Sequence, residues 1–171
     1  MFNVMKLGIN TVLFKAFDVK TALKAIKLAG YDGAELSAIQ GMCEHLVLDA
    51  WETQVPLVKA AAKEAGVELL SMEVASLDED RLEKAFKAAQ YLGIPVVNVG
   101  PGPNPGTPAN QACGRGEINL YGYFKALVDA GYEGPVCLEV IGPEQTMQQA
   151  QAIASESYGY MNAILKLLNA R

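Results

Sequence analysis

Five polar residues stand at the downstream ends of five short apolar runs: Asn10 after LGI, Glu35 after DGA, Glu73 after LLSM, Asn98 after IPVV and Glu139 after PVCL. Carboxylates so placed can move protons or hold a divalent cation. In a sheet of parallel strands all five would share one rim, because chemistry in such sheets sits beyond the carboxyl ends of the strands. Each residue alone reads as a solvated strand end. Three acids and two amides on one face read as a site.

The elements that would position them are marked by a repeated junction. AGYDG at 29 to 33 recurs as AGYEG at 130 to 134, and EAGVELLSME and YLGIPVVNVG carry the same helix, glycine and strand order. A glycine takes the left-handed position that ends a helix at little cost, and the chain then turns into a strand. Gly30, Gly66, Gly93 and Gly131 fall roughly 27 to 38 residues apart, the period of successive βα units.

Strands are expected at Lys6 to Asn10, Ala34 to Ser37, Val67 to Glu73, Pro95 to Val99 and Pro135 to Val140. Asp18 can cap a helix whose buried face is Val19, Ala22, Leu23 and Ile26, and Pro56 marks the first turn of a second helix ending at Ala65. Ser76 and Asp78 offer caps to a third, with Leu82, Ala85, Phe86 and Ala89 inward and acids suited to its positive end. Pro95 to Val99 reads as a parallel strand buried on both faces. Asn119 can cap a helix to Ala130, and a last helix runs from about Thr146 with Met147, Ala150, Ile153, Met161, Leu165 and Leu168 on its apolar face. Between these, GPGPNPGTPANQACGRG at 100 to 116 holds five glycines and four prolines and suits neither helix nor inner strand.

The fold class is therefore α/β, with about five parallel strands flanked by helices in a single domain covering 1 to 171. A closed (βα)8 barrel needs eight strands and usually ~250 residues. The alternatives are a partial TIM barrel lacking three units and an open doubly wound sheet.

Composition narrows the partners. With 14 basic against 19 acidic residues and a net charge of −5, the chain has no basic stripe for a phosphate backbone, so no nucleic acid is expected. No apolar run approaches the ~20 residues of a spanning helix, and MFNVMKLGIN lacks a signal peptide's pattern, so no membrane partner and a cytoplasmic location are expected. Cys43, Cys113 and Cys137 are widely spaced and form no CxxC pair, which suits a reducing compartment.

The succession MKLGIN, AGYDGAELS, AGVELLSM, LGIPVVNVG and GRGEINLYGYFKALVDAGYEGPVCLEVIGPE resembles the sugar phosphate isomerase and epimerase family of xylose isomerase-like TIM barrels across nearly the whole chain. The C-terminal stretch is the most specific. The family's last unit reads as a GRGE-type loop, a helix, GY-acid-G and a strand ending in a metal-binding glutamate, which maps onto Glu139. The resemblance implies a small sugar or sugar phosphate as substrate, isomerisation or epimerisation by proton abstraction next to a carbonyl, and Mn²⁺ or Mg²⁺ polarising the carbonyl oxygen. It casts Glu139 and Glu73 as catalytic residues, and Asn10, Glu35, Asn98 and the loop residue Arg115 as substrate-binding, Arg115 as a clamp on a hydroxyl or phosphate.

Further family units supply a glutamate, an aspartate and a histidine to the same metal, and the sequence has no counterpart of them. Its one histidine, His45, lies after the second strand, where Cys43 and His45 form a Cys-x-His pair, short of a metal site. An internal deletion that joins two Pro/Gly-rich loops near 101 to 106 accounts for this. One carboxylate cannot by itself hold an octahedral cation, so metal binding is expected to be weak or absent and activity impaired. The other function class is a non-catalytic homologue or assembly subunit, a possible homo-oligomer through exposed sheet edges. DNA-repair endonucleases of the same family are disfavoured by the acidic charge and the missing histidines.

Overall fold

The computed structural model describes residues 5–99, 112–116, 119–140 and 145–171; the suggested junction near 101 to 106 lies outside them. In chain order the elements are β1 (Leu7–Asn10), α1 (Val19–Ala29), β2 (Gly33–Ile39), β3 (Cys43–Glu44), α2 (Trp51–Ala65), β4 (Glu68–Glu73), α3 (Glu79–Leu92), β5 (Val97–Asn98), α4 (Leu120–Asp129), β6 (Val136–Leu138) and α5 (Met147–Leu167). No helix among the described residues is long and apolar enough to cross a membrane.

Helix starts follow from local chemistry. Asp18, Asp78, Asn119 and Thr146 each accept a hydrogen bond from the backbone N–H three residues on, and Thr146 with Gln149 completes a capping box. Helix α2 begins at Trp51, directly after a 3-10 turn at Leu48–Ala50. Pro56 therefore lies in the second turn rather than the first.

The strand order is β5-β4-β2-β1-β6, and these five strands are mutually parallel. From β1 to β2 to β4 to β5 the chain steps one place in a constant direction. Right-handed crossovers then put every connecting helix on one face, whereas a doubly wound sheet reverses direction to cover both. Helices α3, α2, α1, α5 and α4 accordingly pack in sequence as one layer, and the sheet curls into a half-barrel. This is a partial TIM barrel. One feature is not parallel: the two-residue β3 folds back antiparallel on the end of β2.

The core lies between sheet and helices, where Leu7, Ile9, Leu23, Ile26, Leu36 and Met72 are fully enclosed. On the inner face, the β2–β4 register shifts by one residue between Ala34 and Glu35, and Leu70 is directed inward. Leu70 fits because Gly8 and Gly33 have no side chains. A Cβ on Gly33 would stand 2.5 Å from Leu70 Cγ and 2.6 Å from the Glu68 carbonyl, and one on Gly8 2.6 Å from Cys137 Sγ.

Two expectations are corrected at the sheet edge. The fourth strand is not buried on both faces: β5 has one neighbour, and Val96 and Val99 are 44% and 47% exposed. Phe86 on α3 is exposed, while Arg81, Ala85, Ala88, Ala89 and Leu92 face inward. Both departures have one cause, since the described chain places no element beyond β5 and α3. Among the described residues β5 and β6 do not pair with each other, and each has a strand neighbour on one side only.

The AGYDG junction is locked. Tyr31 is buried and donates to the Ala154 carbonyl on α5 at 3.1 Å. Burial alone would raise the Asp32 carboxyl, but Arg171 and the Leu7 N–H hold it below the usual carboxylate range. Because backbone stands behind Gly33, Gly33→Ala should destabilise the fold by about 1–3 kcal/mol, an overpacking cost, read from the midpoint of urea unfolding.

Candidate functional site

All five strand-end residues of the sequence pattern meet at one rim of the half-barrel. Register explains it: β1 pairs with β2 through Asn10 and Glu35, β4 with β5 through Glu73 and Asn98, and β6 runs beside β1 as far as Leu138, one residue short of Glu139.

Asn10 is the hub. It is fully buried, and its Oδ1 accepts from the Val12 N–H at 2.9 Å, which fixes the amide so that Nδ2 faces the carboxylates. That Nδ2 donates to Glu35 Oε2 at 3.0 Å and to Glu73 Oε2 at 2.5 Å. Glu35, 5% exposed, also accepts from Ser71 Oγ at 2.8 Å and from Asn98 Nδ2. A buried carboxylate with three donors is well satisfied.

Glu73 and Glu139 behave differently. Glu139 stands at the rim beside Glu73, which is half-buried, close enough for each carboxyl to act on the other's proton. Burial pushes Glu73 up to about 8, reinforced by the negative charges of Glu139 and Glu35; the Asn10 amide opposes the rise only in part. Burial also raises Glu139, while the hydrogen bond from Glu73 pulls the other way. Two carboxyls in contact cannot both ionise cheaply, so they share one proton, with Glu73 as its holder and donor. The pair thus combines a carboxyl that favours its proton with a second carboxyl in position to exchange one.

Arg115 is not brought to this rim. Its guanidinium engages Glu156 on α5 through two bonds of 2.6 and 2.7 Å, on the helix layer. His45 is elsewhere too: Nε2 bonds the Phe17 carbonyl at 2.9 Å and Nδ1 lies 3.4 Å from Cys43 Sγ. Burial lowers the His45 pKa, so the ring is neutral, donating through Nε2 and accepting through Nδ1. Among the described residues no group of three His, Cys, Asp or Glu side chains is arranged to hold a metal ion. The rim has two adjacent carboxyls sharing a proton, a donor set that does not by itself fit a resident divalent cation.

Two residues of the site escaped the strand-end pattern. Ser71 holds Glu35, and Cys137, 3.7 Å from Ser71 Oγ, lines the inner face with its thiol pushed up by burial to about 11. Only the inward parity of β4 and β6 could have flagged them.

Compared by sequence, no family model and no curated protein matches the chain. Compared by structure, it is similar to D-psicose 3-epimerase from Clostridium cellulolyticum H10, with a TM-score of 0.62 at 13% identity over 94% of this chain and 99% of that one. A xylose isomerase-like TIM barrel/4-hydroxyphenylpyruvate dioxygenase fusion protein gives 0.66 at 14% identity; the match covers 98% of this chain and 45% of the fusion. An L-ribulose 3-epimerase gives 0.53 at 10% identity over 97% and 96%. At such identities the likeness is one of fold. The chain has the xylose isomerase-like TIM-barrel fold in partial form, and the structures it resembles include sugar epimerases.

The proton on Glu73 has a thermodynamic signature. Its folded pKa lies above its unfolded value, so the folded state binds more protons between about 4.5 and 8, and stability is lost as pH rises through that window. The melting temperature should fall by a few degrees from pH 5 to pH 8, and Glu73→Gln should remove most of that slope.

Proposed function

We infer that the rim is a sugar isomerase or epimerase site in which Glu139 and Glu73 exchange protons with a ketose or aldose. The observation that carries this reading is the convergence of Glu73 and Glu139 with Asn10, Glu35 and Asn98 at one rim, where burial favours a proton on Glu73; the sugar epimerases of similar fold suggest the substrate class.

In the proposed step, the Glu139 carboxylate takes the proton from the carbon next to the carbonyl. Glu73 gives its proton to the carbonyl oxygen, and a neutral enediol results with the charges of both residues exchanged. Glu139 returning its proton to the neighbouring carbon while Glu73 takes a hydroxyl proton from the enediol isomerises the sugar; epimerisation requires the enediol to turn its opposite face to Glu139 before the same exchange at the first carbon. Asn10 orients Glu73 and Glu35, while Asn98, exposed at the rim, is placed to meet a hydroxyl. Glu35, enclosed and satisfied by three donors, acts through the amides and its charge rather than by touching substrate. The divalent cation implied by resemblance to the family would polarise the carbonyl, but among the described residues no group of three His, Cys, Asp or Glu side chains is arranged to hold one. Turnover is accordingly expected to be slow, with one wall of the barrel holding the substrate.

The test is solvent exchange. Incubated in D2O with a ketohexose or its phosphate, the protein should wash deuterium into the carbon beside the carbonyl, read by proton NMR, and the better substrate reveals whether phosphate is recognised. Glu73→Gln and Glu139→Gln should each slow exchange by about 100-fold or more. Exchange no faster than in buffer for every sugar would leave the second reading, a non-catalytic assembly subunit, which the two open sheet edges favour.

A further inference from the structure

The two copies of the glycine junction do the same local job in different surroundings. At the first, the Tyr158 ring of α5 lies over Gly30, so that a Cβ there would meet it at 2.8 Å, and Tyr31 packs edge-on to the same ring at 5.2 Å. At the second, nothing lies within 4 Å of a Cβ on Gly131, and Tyr132 is 42% exposed. In each unit the tyrosine follows a helix, α1 or α4. What covers Tyr31 is the helix one place earlier around the barrel, and α4 has no earlier neighbour among the described residues.

The other edge shows the complement. Helix α3 meets its neighbours through Lys84, which binds Asp49, and through Tyr91, whose ring and carbonyl engage Lys59 of α2. At 100° per residue, Phe86 falls on the flank turned away from α2. It is 54% exposed, and the adjoining β5 is flanked by exposed Val96 and Val99. One edge thus has a helix and strand that lack a successor, and the other a strand and helix that lack a predecessor.

We propose that two copies of this chain join head to tail, β5 and α3 of one against β6 and α4 of the other. With the two-fold axis along the barrel axis, both seams form at once, all strands stay parallel, and a closed ring of ten strands leaves no edge. Tyr132 then packs on the partner's α3 near its Phe86, as Tyr31 packs on α5 within the chain. The proposal rests on the fold and the repeat, not on the catalytic reading, so either can fail without the other.

The test is mass followed by seam geometry. Light scattering on the full chain should give twice 18.3 kDa, and Phe86→Lys, a surface change that should leave the circular dichroism unaltered, should give a folded monomer. For geometry, Phe86→Cys and Tyr132→Cys proteins are treated with a short bifunctional thiol reagent, with the unaltered chain controlling for the three native cysteines. A mixture of the two variants should cross-link, and each alone should not. A monomeric unaltered chain would overturn the proposal, as would cross-linking of the Phe86→Cys variant to itself, which marks like-to-like edge pairing.

Discussion

Parallel pairing of β6 with β1 is the constraint on which the rest of the structure depends. Leu7, Gly8 and Ile9 align with Val136, Cys137 and Leu138, residues separated by most of the chain. Without this pairing Glu139 would be a loop carboxylate with an ordinary affinity for its proton. With it, Glu139 stands beside Glu73, three strands further on, and helix α5 follows to cover Tyr31 and deliver Arg171 to Asp32. The helix layer and the rim are both consequences of where the last strand lands.

Electrostatics at the rim follow from unequal solvation of like groups. Glu35 is the most enclosed of the three carboxylates, yet its charge is met by Asn10, Asn98 and Ser71. Glu73 has one amide donor and two anionic neighbours, so it keeps a proton. Burial is the first cause of the rise at Glu73 and Glu139, and three donors mark Glu35 off from both. A set of identical residue types therefore becomes an acid, a base and a fixed charge.

Much of this was legible in the chain. The capping residues Asp18, Asp78, Asn119 and Thr146, the glycine stops and the five strand-end residues are local signals, and each is found where its local chemistry puts it. Resemblance to a family carried the partial barrel. What was not legible depends on neighbours. Phe86 sits on an apolar stripe by periodicity and is exposed because no helix lies beside it. Val96 and Val99 read as doubly buried and lie at an edge for the same reason. Arg115 was assigned to the rim by analogy, but Glu156 holds it on the helix layer. The fold-back of β3 is two residues long, too short to leave a periodic signal.

The register shift in β4 carries a consequence for the chemistry. Side chains on a strand alternate faces, so the inward Leu70 would, in a regular strand, send Ser71 and Glu73 outward and Met72 inward. The extra residue inverts that parity: Met72 joins the helix-side core, and Ser71 and Glu73 face the rim. The acid of the pair keeps its place because Leu70 stands outside the pairing. Were β4 to pair regularly, with Leu70 opposite Glu35, Met72 would turn inward and Glu73 outward, exchanging a carboxyl for a thioether at the mouth. A barrel of this kind can thus gain or lose an ionisable group at its mouth without substituting it, by taking one residue of a strand into the pairing or leaving it out.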